Sequence, residues 1–351
     1  VSLRILCAGD SFITADDLAD QCRQQLAEFG PLELITHVSR WPDEPMGDVD
    51  GVREAAGDPA EIAVLAADVD VIVTHLAPIT AAVFESAGKL RVVGSTRGGP
   101  VNIDIAAATE AGVPVAFLPG RNLSAAAEFA VGLMIAVTRN IGAGSRGLAD
   151  GRWEGKYYRY ALTGPEIGHC AVGLIGYGAI GAHVTRLLLA FGAKVLVYDP
   201  YTDASKIDSA GARSVALDEL LATADIVSLH ARLTPETTGM ADATFFAAMK
   251  PGSFFINNAR GELVRTDDLT AALTSGHLAG AGLDVFDPEP PPADHPLLAM
   301  PRVVATPHLA GASQHVAHHS AETVVGQVAL FLRTGTIAHC ANPSALPVAS
   351  V

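Results

Sequence analysis

The stretch from Ala171 to Pro200, AVGLIGYGAIGAHVTRLLLAFGAKVLVYDP, restricts the fold more than any other part of the chain. It opens with an apolar run of strand length, Val172 to Ile175. Three glycines follow in the spacing G-x-G-x-x-G, at Gly176, Gly178 and Gly181. A helical pattern comes next, with Ile180, Val184, Leu187, Leu188 and Phe191 on one face and Gly192 as its stop. A second apolar run, Val195 to Tyr198, ends on Asp199. A strand–turn–helix–strand–acid unit of this kind binds a dinucleotide. Gly176 permits the tight turn, Gly178 lets backbone approach a pyrophosphate, and Gly181 lets helix and strand pack closely. The free N–H groups at the helix start, with the positive end of its dipole, hold the phosphates. Asp199 lies 23 residues beyond Gly176, near the roughly 20 expected of an acid that grips a ribose 2′-OH. A carboxylate there repels a 2′-phosphate, and no arginine follows at Pro200 or Tyr201, so the expected cofactor is NAD rather than NADP.

Bulk properties narrow the rest. A chain of 351 residues gives a prior of roughly two domains. Hydrophobic content of 49% with 17% charged residues describes a well-buried globular protein. The net charge of −15 argues against nucleic acid or an anionic membrane as partner, so an anionic substrate needs a local positive site. Cys7, Cys22, Cys170 and Cys340 are scattered without a C-x-x-C, which reads as reduced thiols in a cytoplasmic protein. No signal peptide is read at the N-terminus, and the most apolar helix candidate, Leu123 to Val137, is short for a membrane span.

Strand-like runs at Leu3–Ala8, Leu32–Val38, Asp70–Thr74, Leu90–Gly94 and Val113–Phe117 alternate with helical patterns, among them Leu18–Phe29 and Ile103–Ala111. That alternation predicts a parallel sheet covered on both faces. An apolar helix is expected over Ser124–Ile141, and the aromatic stretch 150–167 (Trp153, Tyr157, Tyr158, Tyr160) as a surface arm. After Asp199 further strands are expected at Ile226–His230, Phe254–Asn257, Ala279–Val285 and Val303–Thr306, then a helix over Ser313–Leu332 and a loose tail, ANPSALPVASV. The fold class is α/β, with two doubly wound parallel-sheet domains.

Three motifs after the fingerprint carry the chemistry: Asn257-Asn258-Ala259-Arg260-Gly261, Asp284-Val285-Phe286-Asp287-Pro288-Glu289-Pro290, and Thr306-Pro307-His308-Leu309-Ala310-Gly311. Oxidising an alcohol to a ketone needs a hydride acceptor, a base for the hydroxyl proton and a cation for a neighbouring carboxylate. His308 is the natural base, with an unperturbed pKa near 6.5. Glu289 would bond its other ring nitrogen, fix the tautomer and raise the pKa, so that His308 serves as acid in the reducing direction. Arg260 offers a planar fork to a carboxylate and carbonyl.

N-x-x-R-G, D-V-F-x-x-E-P and P-H-x-x-G, in this order after the glycine fingerprint, resemble the D-isomer-specific 2-hydroxyacid dehydrogenase family, phosphoglycerate dehydrogenases included. Segments 94–104, 124–139 and 230–237 also look like family segments. The resemblance implies the same roles for Arg260, Glu289 and His308. It also implies Asp284 at the nicotinamide amide, Ala231 and Asn258 lining the cofactor cleft, and Ala179 and Ile180 in the turn under the pyrophosphate. Gly98 and Gly99, in the loop GSTRGGPVN, would offer N–H groups to the substrate carboxylate. It further implies a Rossmann NAD-binding domain, 123–305, inserted into a flavodoxin-like substrate domain formed by 1–122 and 306–351. The active site would lie in a cleft that expels water on closure, and the protein would be a homodimer joined through the cofactor domains.

The expected activity is therefore NAD-dependent hydride transfer on a small anionic 2-hydroxy or 2-keto acid. Phosphoglycerate, glyoxylate, hydroxypyruvate and sugar-derived acids all stay open, because the strand end Val73-Thr74-His75 lacks the arginine that phosphoglycerate enzymes tend to place there. An NAD(H)-sensing corepressor-like binding protein is the alternative of another class. Arg232 replaces the family's usual proline and weakens the NAD-only expectation, while Arg97 is expected to touch a second anionic or hydroxyl group on the substrate. His315, His318 and His319 have metal-ligand spacing, but no carboxylate pattern completes a site, so no metal is expected.

Overall fold

The computed structural model describes residues 2–44 and 46–347, which fall into two units. One comprises Val1–Asn122 with Ala312–Val351, and the other is Leu123–Gly311. The second unit runs on to Gly311 rather than stopping at 305, because backbone N–H groups of Leu309 and Ala310 are bonded to Asp284 within it.

The first unit contains strands β1 (Leu3–Gly9), β2 (Leu32–Val38), β3 (Gly47–Val49), β4 (Val52–Ala55), β5 (Val71–Thr74), β6 (Val92–Ser95) and β7 (Val115–Ala116). Five of these form a parallel sheet in the order β2-β1-β5-β6-β7, while β3 and β4 make a small antiparallel pair of their own. Without that pair the order is the flavodoxin-like one. The central strands are buried along their whole length, as β5 (VIVT) and β6 (VVGS) show, so they read as apolar runs rather than alternating patterns. Helix Ala15–Gln25 starts at Thr14, whose hydroxyl accepts the Asp17 N–H. Helix Gln314–Thr334 starts at Ser313 and ends at Gly335, which has a φ of 74°. Leu18 and Cys22 of the first and Ala321, Val324, Val325 and Val328 of the second bury one sheet face. A Cβ on Gly94 would sit 3.0 Å from methyl groups of Val324 and Val328, so glycine sets how closely this helix lies on the sheet. Ile62, Val83 and Ala108, from helices Pro59–Ala66, Ala81–Ser86 and Ile105–Glu110, fill the opposite face.

The tail expected to be loose is partly fixed. Asn342 accepts the Val115 N–H at 2.9 Å and donates to the Val113 carbonyl at 2.9 Å, and a short turn follows at Pro343–Ala345. Residues 348–351 lie outside the described residues.

The second unit carries β8 (Ala171–Ile175), β9 (Lys194–Tyr198), β10 (Arg213–Ser214), β11 (Ile226–Leu229), β12 (Phe254–Asn257), β13 (Gly280–Leu283) and β14 (Val303–Ala305). All pair in parallel, in the order β10-β9-β8-β11-β12-β13-β14. This is the Rossmann order with one added strand. The order reverses between β8 and β11, which puts the glycine turn after β8 beside the residues after β11.

The helix expected over 124–141 is Leu123–Thr138, followed after a 66° bend by Ile141–Ala149. Asn140 breaks it with a φ of 56°, and its side-chain amide donates to the Leu162 carbonyl at 3.0 Å. Asparagine tolerates this left-handed conformation better than most residues. No single helix among the described residues is long and apolar enough to cross a membrane. The aromatic stretch forms only short 3-10 turns, at Gly155–Tyr158, Tyr160–Leu162 and Ile167–His169, and leaves Trp153, Tyr158 and Tyr160 exposed.

Candidate active site

The glycine turn is built as its spacing requires. Gly176 has a φ of 100°, and a Cβ there would lie 2.6 Å from the His230 carbonyl oxygen and 2.8 Å from the Ala231 nitrogen. A Cβ on Gly181 would lie 2.3 Å from the Gly176 oxygen. Gly178 faces open space within 4 Å, and helix Ala179–Ala190 begins with no side-chain cap. The opening backbone N–H groups at Ala179, Ile180 and Gly181 therefore border room for an anion, as a bound pyrophosphate needs. At the end of β9, Asp199 accepts N–H groups from Tyr177 at 2.6 Å, Tyr201 at 2.8 Å and Thr202 at 3.0 Å. These bonds fix the half-buried carboxylate against the glycine turn. The residues present fit a dinucleotide.

After β12 the chain turns on Asn257, whose side chain accepts the Ala259 N–H at 3.0 Å and donates to the Arg260 carbonyl at 2.9 Å. Arg260 is exposed. The neighbouring glycine is dictated by close approach, since a Cβ on Gly261 would sit 1.9 Å from the Phe286 carbonyl oxygen. Asn258 donates to the Ala126 carbonyl at 2.9 Å, and its own amide oxygen is buried without a partner.

After β14, His308 has a φ of 54°. Its Nδ1 lies 2.6 Å from Glu289 Oε1, and its side chain is 38% exposed. The Glu289 hydrogen bond holds the His308 pKa above its ordinary value, against burial and the positive charge of Arg260, with Asp284 adding to the rise. Asp284 is fully buried and accepts the Thr306 hydroxyl at 2.6 Å and the Leu309 and Ala310 N–H groups at 2.8 Å each. It thus shapes the turn that presents His308, leaving one of about four acceptor positions free. Asn257 and Thr306 are supporting residues whose only sequence signal is their place in N-x-x-R-G and T-P-H.

In the other unit, Gly98 and Gly99 are exposed. Arg97, expected to meet the substrate, is instead engaged internally. It pairs with the Glu54 carboxylate and donates to the Glu54 carbonyl at 2.9 Å.

Residues 131–310 match a family described as "D-isomer specific 2-hydroxyacid dehydrogenase, NAD binding domain". A hydroxypyruvate reductase of Blautia hydrogenotrophica is 34% identical over 285 residues, covering 80% of this chain and 88% of the relative. The chain belongs to the D-isomer-specific 2-hydroxyacid dehydrogenases.

A D-3-phosphoglycerate dehydrogenase of Mycobacterium tuberculosis is 41% identical over 256 residues, and the chain spans 47% of its length. Among solved structures, the NAD-complexed D-isomer-specific 2-hydroxyacid dehydrogenase of Lactobacillus delbrueckii ssp. bulgaricus is 25% identical, with a TM-score of 0.76 over 97% of this chain and all of that one. This dehydrogenase is thus an NAD-binding oxidoreductase, and unit 123–311 carries the NAD-binding fold. Arg232 is exposed. His315 and His319 stack on each other with rings 5.5 Å apart, and His318 faces Asp17 at 3.2 Å. Among the described residues no group of three or more His, Cys, Asp or Glu is arranged to hold a metal.

Proposed function

We propose that this dehydrogenase reduces a small 2-keto acid to its D-2-hydroxy acid, and the reverse, with His308 as acid and base. The observation that carries the reading is the 2.6 Å His308–Glu289 pair. Glu289 engages Nδ1, so Nε2, which has no hydrogen-bond partner among the described residues, is the nitrogen that meets substrate.

When bound, the nicotinamide cofactor would supply the hydride for reduction as NADH and accept it in oxidation as NAD. Gly176, Gly178, Ala179, Ile180 and Gly181 hold the pyrophosphate, and Asp199 takes the ribose hydroxyls. Ala231 and Asn258 line the cofactor site, and the remaining acceptor position on Asp284 takes the nicotinamide amide. Arg260 binds the substrate carboxylate and polarises its carbonyl. In the other unit, the exposed Gly98 and Gly99 N–H groups are assigned to substrate binding. In reduction His308 donates its Nε2 proton to the forming alkoxide; in oxidation neutral His308 takes it back. Unit 1–122 with 312–351 then serves as the substrate domain. The exposed Trp153, Tyr158 and Tyr160 support a homodimer, which sedimentation tests, and the four free cysteines suit the cytoplasm.

Substrate class is tested by the loss of NADH absorbance against glyoxylate, pyruvate, hydroxypyruvate, phosphohydroxypyruvate and longer hydroxylated 2-keto acids. Arg260→Ala should lower kcat/KM by about 100–1,000-fold, with Arg260→Lys recovering only part because it cannot form the fork. Turnover indifferent to Arg260 would overturn its assignment.

A further inference from the structure

We propose that Asp10, His75 and Arg121 form a subsite that reads uncharged hydroxyl groups on the tail of the substrate. The inference deepens the function above and rests on it.

β1 and β5 are neighbours in the sheet, with Ala8 opposite Thr74. Asp10 and His75 therefore emerge together at the carboxyl ends of two central strands, the edge where open α/β sheets bind ligands. Both are buried, at 1% and 3% exposure. Asp10 Oδ1 accepts the Phe12 and Ile13 N–H groups at 2.9 and 3.0 Å, and Oδ2 lies 2.5 Å from His75 Nδ1. A carboxylate so placed makes Nδ1 the protonated nitrogen and leaves a lone pair on Nε2. Burial keeps His75 below its ordinary pKa and hence neutral.

Arg121 faces that lone pair, with Nη2 3.4 Å from His75 Nε2 and Nη1 3.5 Å from the Ser320 hydroxyl. Both contacts are long. Among the described residues no carboxylate lies at ion-pair distance from this half-buried guanidinium, whose pKa burial lowers to about 10. Its five donors are therefore under-used, in a place where unpaired donors are costly.

Position links the cluster to substrate. Leu118 donates its N–H to the Arg97 carbonyl at 2.8 Å, so the strand end carrying Gly120 and Arg121 runs beside the Gly98–Gly99 loop. A Cβ on Gly98 would be 4.0 Å from the Gly120 nitrogen. An acid whose carboxylate meets the Gly98 and Gly99 amides extends its far carbons toward Arg121. Phe12 and Trp41 wall the cluster, each with its ring 5.8 Å from that of His75.

Charge selects the tail. Asp10 balances Arg121, Glu54 balances Arg97, and His75 is neutral. A phosphate would bring uncompensated negative charge into this neutral cluster. A hydroxyl instead donates its proton to His75 Nε2 and accepts from Arg121.

The test compares kcat/KM for glyoxylate, which has no tail, with that for hydroxypyruvate, for a four-carbon 2-oxo acid carrying hydroxyls at both C3 and C4, and for phosphohydroxypyruvate. The enzyme should favour the hydroxylated acids over both glyoxylate and the phosphorylated one. Arg121→Gln and His75→Gln should each cut the hydroxylated-to-glyoxylate ratio about 10–100-fold, mainly through KM, with circular dichroism and thermal unfolding reporting that each variant is folded. A preference for the phosphorylated acid, or variants that slow all substrates in proportion, would overturn the subsite. Glyoxylate turnover without any hydroxyl preference removes the subsite alone. Bound NADH with no 2-oxo acid reduced removes the enzymatic reading as well.

Discussion

Asp284 and His308 are joined through the backbone of the turn that carries the histidine. The Asp284 carbonyl accepts the His308 N–H at 2.9 Å, while its carboxylate holds the N–H groups of the next two residues at 2.8 Å each. A non-glycine residue at positive φ costs about 1–3 kcal/mol, and His308 sits at 54°. Asp284 is what keeps it there.

Replacing Asp284 with asparagine is therefore expected to act on the histidine. One acceptor oxygen becomes an amino group facing backbone donors. The expected loss in kcat for 2-keto acid reduction is about 10–100-fold. A variant within twofold of the parent would show that the turn holds its shape without this carboxylate.

The Glu289–His308 bond sets a pH dependence whose sign can be stated. Glu289 raises the His308 pKa, so the protonated acid needed for reduction persists to higher pH than a free imidazole allows, and reduction falls as pH rises through that raised value. Oxidation needs the neutral ring and rises over the same interval. Glu289→Gln removes the cause, and both limbs should move to lower pH in kcat/KM profiles. Limbs that stay in place would mean another group titrates.

Gly261→Ala should destabilise the fold by about 1–3 kcal/mol, because its Cβ has no room beside the Phe286 carbonyl. Thermal unfolding reads the effect, and a melting temperature equal to the parent's would show that residues 286–287 shift at no cost.

Much of this site is legible in the sequence because it is local. Gly176, Gly178 and Gly181 serve one turn, and Arg260, Glu289 and His308 stand in recognisable strings after buried strands. What escaped was settled by distance or by brevity. Asp10 and His75 meet across 65 residues, and no periodicity links them. Strands β3 and β4 are three and four residues long, too short for a period to declare itself. Helix Pro59–Ala66 is apolar nearly all round, so it shows no amphipathic stripe. The break at Asn140 reads as continuous helix because the apolar pattern resumes at Ile141 and no proline interrupts 123–141. Arg97 is expected from the sequence to touch the substrate, and only the fold brings Glu54 to it.

Helix Gln314–Thr334 covers one face of the five-stranded sheet, yet it is encoded nearly two hundred residues after β7. A ribosome makes the chain in order. Val73 and Val92 must therefore wait, with that face uncovered, until the whole of unit 123–311 has been synthesised. The inserted unit needs nothing made after Gly311 and is free to fold first. Completion thus runs opposite to synthesis: the first strands translated are among the last to be sealed, and a stall between Gly311 and Thr334 would leave the apolar surface of the older half open to chaperones.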